Sequence, residues 1–531
     1  MKKLFATTLN AHDSNWYDGD IHWQAERHTR HKQNMYPGDR IEFYNTHFKP
    51  YLEDKETTMG FTYTLGGLSG FTDNDVPHPL DTDLRHMSDD INHFNHNIKN
   101  LWDYLLDDNV YYINHHQSHA AYALLSSGYD EADILAVDGG GVMYWSTFFD
   151  KDGTFFDLTE EFPIGPLWNF SARVAGIDTC GKLMGRVAYG KFDAVYNEFL
   201  NFMTDEIDLD DKIDKTLLAR AIKYNFKPED IAFTVQQFTY ERINDIIERH
   251  KTSNNIVIAG GVGYNGYMNE YLGQLYDNVH VAAAPGDEGQ SIGTYMHMDY
   301  TLNNNKHIPG VYNGIEHDID ESIFEGLIWK KLSIEEATKE AALAVSNGEI
   351  IGWWQGRSES GNRSLGNRSI VADPRNPDIK DIINKDIKRR EDWRPFAPSV
   401  LEEHYKEYFD TPVASPYMSR ITKVISDKIP GVTHVDGTAR IQTVNIETNE
   451  RWYNLINEFY KLTGIPLVVN TSFNCREPIV ESPQDAVNTF MKTKLDLLVV
   501  GEYVVRKGDI VGKYILKNNQ VVGEYVVRKN V

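Results

Sequence analysis

Two groups of side chains in this 531-residue sequence have the types and spacing to do chemistry. The first is Asn114-His115-His116-Gln117-Ser118-His119. His115 and His119 stand at i and i+4, so on a helix both imidazoles leave the same face. Such a pair is a common set of metal ligands, although a plain polar stripe has the same spacing. Asp138 and Asp287 strengthen the metal reading. Each follows apolar residues in a glycine-rich turn, VDGGG and PGDEG. Two imidazoles with two carboxylates suit iron, manganese or zinc better than calcium or a structural zinc. His116 is expected to point elsewhere.

The second group runs from Gly356 to Pro398, through GRSESGNRSLGNRSIVADPRNP and on to INKDIKRREDWRPFAP. Arg357, Arg363, Arg368, Arg375, Lys385, Lys388, Arg389, Arg390 and Arg394 crowd there, in a chain of formal net charge −25. A solvated basic face is the usual source of such a run. Here the arginines lie between glycines and small residues rather than at helical spacing. Guanidinium forks match phosphate and carboxylate oxygens in pairs, and Gly and Ser let the backbone approach an anion. The segment therefore predicts a polyphosphate or acyl-phosphate site. Arg440 in HVDGTARIQ and Ser472 and Asn474 in NTSFN sit at strand ends, where they could complete it.

Weaker signals accompany these. Glycine turns occur at Gly139 and Gly140, at Gly181 to Gly185 around Lys182, and at Gly260, Gly261, Val262 and Asn265. Each alone is what any α/β protein needs. Together they resemble the nucleotide cleft of the actin and sugar-kinase superfamily, with Lys182 available to neutralise a phosphate. His12-Asp13-Ser14 ends the first strand, with Lys32 beyond it. His12 and Lys32 could act on a phosphate or an acceptor hydroxyl; for Asp13 and Ser14 capping is an equal explanation.

These groups need a frame. Strand-like runs at Lys3 to Leu9, Val110 to Asn114, Ile134 to Asp138 and Ile256 to Ala259 alternate with helical patterns at 120–127, 231–250 and 269–276. Alternation of this kind predicts an α/β fold with ligands at the carboxyl ends of strands. Periodicity weakens over 300–332, and Ser333 with Glu336 predicts a helix start. The domain boundary is therefore placed near residue 335, giving 1–335 and 336–531. GEYVVRK occurs at 501–507 and again at 523–529, read as a small added edge hairpin without chemistry. Two cysteines, Cys180 and Cys475, exclude a disulfide scaffold and a cysteine-rich zinc module and suit a reducing cytoplasm. The N-terminus has no sustained apolar run, so no signal peptide is expected, and nothing approaches a membrane span. A pI of about 5.2 argues against a general nucleic-acid coat protein.

The ordered motifs HHQSHAA, VDGGG, GKLMG, AGGVGYN, GRSESGNRSLGNRSIVADPR, RPFAPSVLEE, HVDGTARIQTV and NTSFNCREPIVESPQDAV resemble the O-carbamoyltransferases. Members of that family decorate aminoglycosides, ansamycins, cephalosporins and nodulation factors. The resemblance implies an N-terminal actin-like domain and a C-terminal YrdC-like domain. In the latter, carbamoyl phosphate and ATP would give carbamoyl adenylate and pyrophosphate. The carbamoyl group would then pass to an acceptor hydroxyl in the N-terminal domain, beside a divalent metal, usually iron, and a nucleotide. By the same resemblance His115, His119, Asp138 and Asp287 are metal ligands. Gly139, Gly140, Lys182, Gly260, Gly261, Val262 and Asn265 line the nucleotide cleft. Arg357, Arg363, Arg368, Lys388, Arg394, Arg440, Ser472 and Asn474 hold carbamoyl phosphate and the adenylate, with His12, Lys32 and Arg368 as catalytic residues. ATP with Mg is the expected cosubstrate, the location cytoplasmic and a homodimer a possible assembly.

The chain departs from the family at Ala11 and at Ser14-Asn15-Trp16, and over 36–100, which is rich in aromatic and acidic residues. Such a segment implies an unusual acceptor pocket. The leading expectation is the hydroxymethyl of 5-hydroxymethylcytosine, as nucleotide or in DNA, stacked on Tyr44, Phe61, Tyr63 or Phe71. The alternative is a sugar or polyketide hydroxyl of a secondary metabolite. A non-enzymatic nucleotide sensor and a tRNA threonylcarbamoylating enzyme are rival classes.

Overall fold

A computed structural model describes residues 3–8, 15–30, 54, 56–63, 110–139, 146–159, 161–206, 221–507, 509–511, 514–517 and 520–524. His12, Lys32, Gly140, Tyr44 and Phe71 lie outside the described residues, as do the side chains of Phe61 and Tyr63. The chain divides into two compact units, Met1–Val311 with Ser360–Asn362, and Tyr312–Glu359 with Arg363–Val531.

The α/β class holds throughout. In the first unit β1 (Lys3–Thr8) has the antiparallel strands β2 (Asn15–Tyr17) and β3 (His22–Gln24) on one side. On its other side lie the parallel strands β4 (Thr57–Tyr63) and β5 (Val110–Asn114), giving the order β3-β2-β1-β4-β5. A second sheet repeats this plan. β6 (Asp133–Val137) is central, β7 (Ser146–Phe149) and β8 (Phe155–Asp157) run antiparallel on one side, and β9 (Asn255–Ala259) and β10 (Asn278–Val281) run parallel on the other. This duplicated layout agrees with the actin-like expectation. β6 (DILAV) and β9 (NIVIA) are apolar at nearly every position because central parallel strands are covered on both faces.

Helix α1 (His115–Ser127) starts directly after β5. Asn114 caps it, its side chain accepting the His116 N–H at 2.9 Å. It starts earlier than its periodicity implied, so both histidines fall in its first turns. Helix α2 (Gln290–Asn303) packs against it closely: a Cβ on Gly293 would lie 2.1 Å from the Ser118 carbonyl oxygen.

In the second unit a ten-stranded mixed sheet has the order β11-β20-β19-β12-β13-β18-β14-β17-β16-β15, ending on β16 (Arg420–Val424) and β15 (Phe409–Asp410). Its site-bearing strands are β12 (Ile351–Trp354), β13 (Arg368–Ala372), β14 (Ala397–Leu401), β17 (Thr438–Val444) and β18 (Leu467–Ser472). Trp353, Trp452, Phe473 and the apolar strand residues fill its core. Helix α3 (Ile334–Ser346) opens with the expected Ser333/Glu336 capping box. The unit nevertheless begins ahead of residue 335. β11 (Ile328–Lys331) pairs with β20 (Tyr503–Arg506), which draws 312–332 into the second unit. The first GEYVVRK copy is thus not an edge hairpin. It forms β20, an inner strand between β11 and β19 (Leu497–Val500), with Val504 and Val505 fully buried.

Candidate functional sites

In the first unit, α1 brings His115 and His119 together with rings 4.7 Å apart. Asp138 follows β6, and Asp287 opens a short 3-10 turn after β10. The Nε2 atoms of His115 and His119 lie 3.0 and 3.2 Å from Asp138 Oδ2, and both lie 3.4 Å from Asp287 Oδ1. One donor atom from each of the four falls within 4.8 Å of the rest. Nitrogen and carboxylate donors converging on one point fit a first-row divalent ion. His116 points away, its Nδ1 3.1 Å from Thr147 Oγ1.

The electrostatics of the cluster are tightly coupled. Burial alone would lower the His119 pKa, but hydrogen bonds to Asp138 and Asp287 outweigh it and raise it to about 9. Burial would raise Asp138, yet hydrogen bonds from His115 and His119 hold it well below the usual carboxylate range. Its other oxygen, Oδ1, accepts the N–H of Gly139 at 2.6 Å and of Gly261 at 3.4 Å. Gly260 makes this approach feasible: φ is +83°, and a Cβ would meet the Val137 carbonyl at 2.1 Å. The glycine turn and the His/Asp cluster are therefore joined through one carboxylate.

The remaining cleft residues separate. Val262 is buried, and Asn265 caps the helix Gly266–Leu275, accepting from the Met268 N–H while its Nδ2 donates to Gln236. Lys182 pairs with Asp178 at 2.6 Å on a short helix. Sequence reasoning missed Asn15. Its Nδ2 donates to the Asp287 carbonyl at 3.0 Å, and its Oδ1 accepts from the Ser291 N–H at 3.2 Å. The one signal was its place among the departures from the family pattern.

Residues 355–367 connect the antiparallel neighbours β12 and β13. Glu359, 1% exposed, organises this loop. Its Oε1 accepts the N–H groups of Leu365, Asn367 and Arg368 at 2.8, 2.7 and 3.3 Å. An acid that folds a basic loop from inside was also missed; its only signal was a lone Glu between two serines among arginines. Below the loop, Asn470, Ser399 and Gln442 form a buried network whose amides donate to the carbonyls of Ser364 and Leu365.

Three predicted residues meet directly. The buried Lys388 ammonium donates to the Ser472 carbonyl, to Ser472 Oγ at 3.1 Å and to Asn474 Oδ1 at 2.7 Å. Arg357 donates through Nε to the Gly314 carbonyl at 2.7 Å, and Arg394 pairs with Glu391 at 3.9 Å. Arg440 lies in β17 opposite Ile421, and Arg363 is partly buried in the loop.

Arg368 makes most of its bonds to the protein itself. It is fully buried, with Nε on the Glu481 carbonyl, Nη1 on the carbonyls of Gln355 and Asn367, and its guanidinium 4.2 Å from the Trp354 ring centre. Glu481 stands 3.9 Å from Nη2. Such bonding ties the loop to the sheet.

Comparison with known proteins adds a second line. The family described as Carbamoyltransferase N-terminus matches residues 95–296, and Carbamoyltransferase C-terminus matches residues 342–507. Nodulation protein NolO of Bradyrhizobium diazoefficiens is 35% identical over 436 residues, 74% of this chain and 79% of that protein. The 3'-hydroxymethylcephem-O-carbamoyltransferase of Amycolatopsis lactamdurans is 33% identical over 46% of this chain and 48% of that protein. HypF of T. kodakarensis overlaps 57% of this chain and 48% of its own at 13% identity with a TM-score of 0.28, too slight to assign a fold.

Proposed function

The chain belongs to the carbamoyltransferase family and is an enzyme of that class, and from this premise we propose an ATP-dependent O-carbamoyltransferase with its labour divided between two sites. In the second unit water cleaves carbamoyl phosphate to carbamate and inorganic phosphate. The carbamate oxygen attacks the α-phosphorus of ATP, and pyrophosphate leaves. The resulting carbamoyl adenylate then gives its carbamoyl group to an acceptor hydroxyl at the His/Asp cluster, releasing AMP and a proton.

The observation that carries this reading is the pre-folded β12–β13 loop around Glu359, with Lys388, Ser472 and Asn474 already bonded together nearby in sequence-matched positions. Both substrates are polyanions, so joining them needs fixed cationic donors. Donors held in place before the reaction stabilise developing charge without reorganisation. Lys388, Arg357, Arg363, Arg394 and Arg440 are the proposed donors, and Arg368 holds the loop that carries Arg357 and Arg363.

In the first unit His115, His119, Asp138 and Asp287 would hold a divalent metal, iron being the proposed ion. Such an ion would polarise a carbonyl or lower the pKa of an acceptor oxygen. Asn15 keeps the Asp287 turn in place, and Gly139 and Gly261 orient Asp138. His12 and Lys32 are proposed near the transferred group.

The proposed acceptor is a primary hydroxymethyl group carried on a ring. The likeness to a hydroxymethylcephem O-carbamoyltransferase supports a secondary metabolite; 5-hydroxymethylcytosine has the same reacting group and is the second reading. The test incubates enzyme, carbamoyl phosphate and Mg-ATP with hydroxymethylcytosine nucleotide, hydroxymethylated DNA, a hydroxymethylcephem and an aminoglycoside panel. Pyrophosphate release with a carbamoylated product is expected; no pyrophosphate with any acceptor would sink the reading.

A further inference from the structure

We propose that His22 and Tyr264, both in the first unit, are positioning residues for the basic loop: they hold its tip, Ser360–Asn362, and so set where Arg357 and Arg363 stand. This role rests on the adenylation reading for its effect on turnover, and on geometry alone for its effect on the loop.

The base and the tip of the loop belong to different units. Glu359 and Arg363 fall in the second, while Ser360, Gly361 and Asn362 fall in the first. The base is fixed by Glu359, whose Oε1 takes the N–H groups of Leu365, Asn367 and Arg368 and none from the tip. Each tip residue has a partner in the first unit instead. Ser360 Oγ lies 3.0 Å from His22 Nδ1, and the Ser360 N–H donates to the Val311 carbonyl at 2.7 Å. Arg27 Nη2 donates to the Gly361 carbonyl at 2.7 Å, and the Asn362 N–H donates to Tyr264 Oη at 3.2 Å. The approach is close: a Cβ on Gly361, where φ is +87°, would lie 2.7 Å from the Ala283 carbonyl oxygen.

Two of these partners are held in one orientation by neighbours of their own. Gln24 Nε2 donates to His22 Nδ1 at 3.1 Å, so that nitrogen carries no proton and the Ser360 hydroxyl is the donor. His22 and Ser360 are both buried. Tyr264 donates its O–H to Oε1 of the buried Glu288, which also accepts the Gly286 N–H at 3.2 Å. The phenol oxygen therefore turns its lone pairs to Asn362. A buried bond of fixed direction is costly to lose, because the partner left behind stays unsatisfied. Arg357 stands three residues before the tip and Arg363 directly after it. A shift of the tip moves both cations, and a misplacement of about 1 Å at a reacting group costs on the order of a hundredfold in rate.

The test uses the full chain with Ser360→Ala, His22→Phe and Tyr264→Phe, singly and in pairs. Amide hydrogen exchange is followed over residues 357–367, and carbamoyl-phosphate-dependent incorporation of pyrophosphate into ATP is measured alongside. Each single variant should speed amide exchange in the loop about threefold or more, with β12 and β13 unchanged, and should slow pyrophosphate incorporation about tenfold. His22→Phe with Ser360→Ala should be no worse than either alone, because both cut the same bond. Tyr264→Phe with Ser360→Ala should be worse than either, because those bonds are separate. Loop exchange within about twofold of wild type in all three single variants, loosening spread evenly over the chain, or additive losses in the His22/Ser360 pair would each overturn the proposal. So would a loosened loop with unchanged pyrophosphate incorporation. A wild type that incorporates no pyrophosphate sinks adenylation instead, and the loop measurements then judge the anchoring of the tip by themselves.

Discussion

The two candidate sites are built in opposite ways. In the first unit the functional atoms come from regular elements: a helix turn supplies both imidazoles, the end of β6 supplies Asp138, and a short 3-10 turn after β10 supplies Asp287. The four donor side chains there converge on one point. In the second unit the cations come from a loop and an irregular turn, and many of them are spent on the protein itself. Arg368 is taken up by carbonyls and Trp354, Arg375 by Asp373 and the Ser346 carbonyl, and Arg389 donates to the Lys492 carbonyl. A site made of short-range periodicity uses nearly all the residues that mark it. A site made of loop residues uses some as ligands and the rest as its own scaffold.

That contrast can be broken by substitution. The largest effect should come from His119→Ala. Removing one of four converging donors should lower bound metal, read by elemental analysis, and cut carbamoyl transfer on the order of a thousandfold, while pyrophosphate release stays within about twofold. Equal loss of both half-reactions would mean the sites do not divide the work. Next is Arg368→Ala, which removes a buried guanidinium beside the buried Glu481 together with its bonds to three carbonyls. It should cost about 3–5 kcal/mol of stability in a denaturant melt. Loss of pyrophosphate release with no change in stability would restore Arg368 to the ligand-facing set.

A smaller effect is expected at Asn15→Ala. It loosens the Asp287 turn without touching the four donors, and metal affinity should fall about 10- to 100-fold, as for other residues that orient ligands. Unchanged metal affinity would show that the turn needs no such tie. The smallest is Ser333→Ala, which removes the capping box of α3 far along the chain from either set of site residues. About 1 kcal/mol of stability should be lost, with both half-reactions unaltered.

Much of this was legible beforehand. The strands at Val110 to Asn114 and Ile256 to Ala259, the Ser333 helix start and the His115/His119 pair all follow from local periodicity and capping. The Asp138 and Asp287 turns were recognisable because glycine marks where a chain must bend. Asn15 was not recognisable as a partner because its contacts, Asp287 and Ser291, lie far along the chain, and Glu359 was not because its contacts depend on how an irregular loop folds back on itself. The first GEYVVRK copy was misjudged for a related reason. Alternating residues announce a strand, but whether it lies at an edge or inside depends on which strands pair with it, and β11 lies far earlier in the sequence.

The sequence by itself determined the α/β class, the two clusters of chemistry and the residues that compose them. The local pieces, the His115/His119 spacing and the glycine turns beside Asp138 and Asp287, depend on spacings of a few residues, over which backbone geometry is rigid enough to predict. Only the tertiary structure decided which cations are consumed internally, which carboxylate folds the basic loop and where the unit boundary falls. A charged side chain's role depends on the partner that reaches it, and partners such as Glu481 for Arg368 are brought together by strand pairing across long stretches of chain.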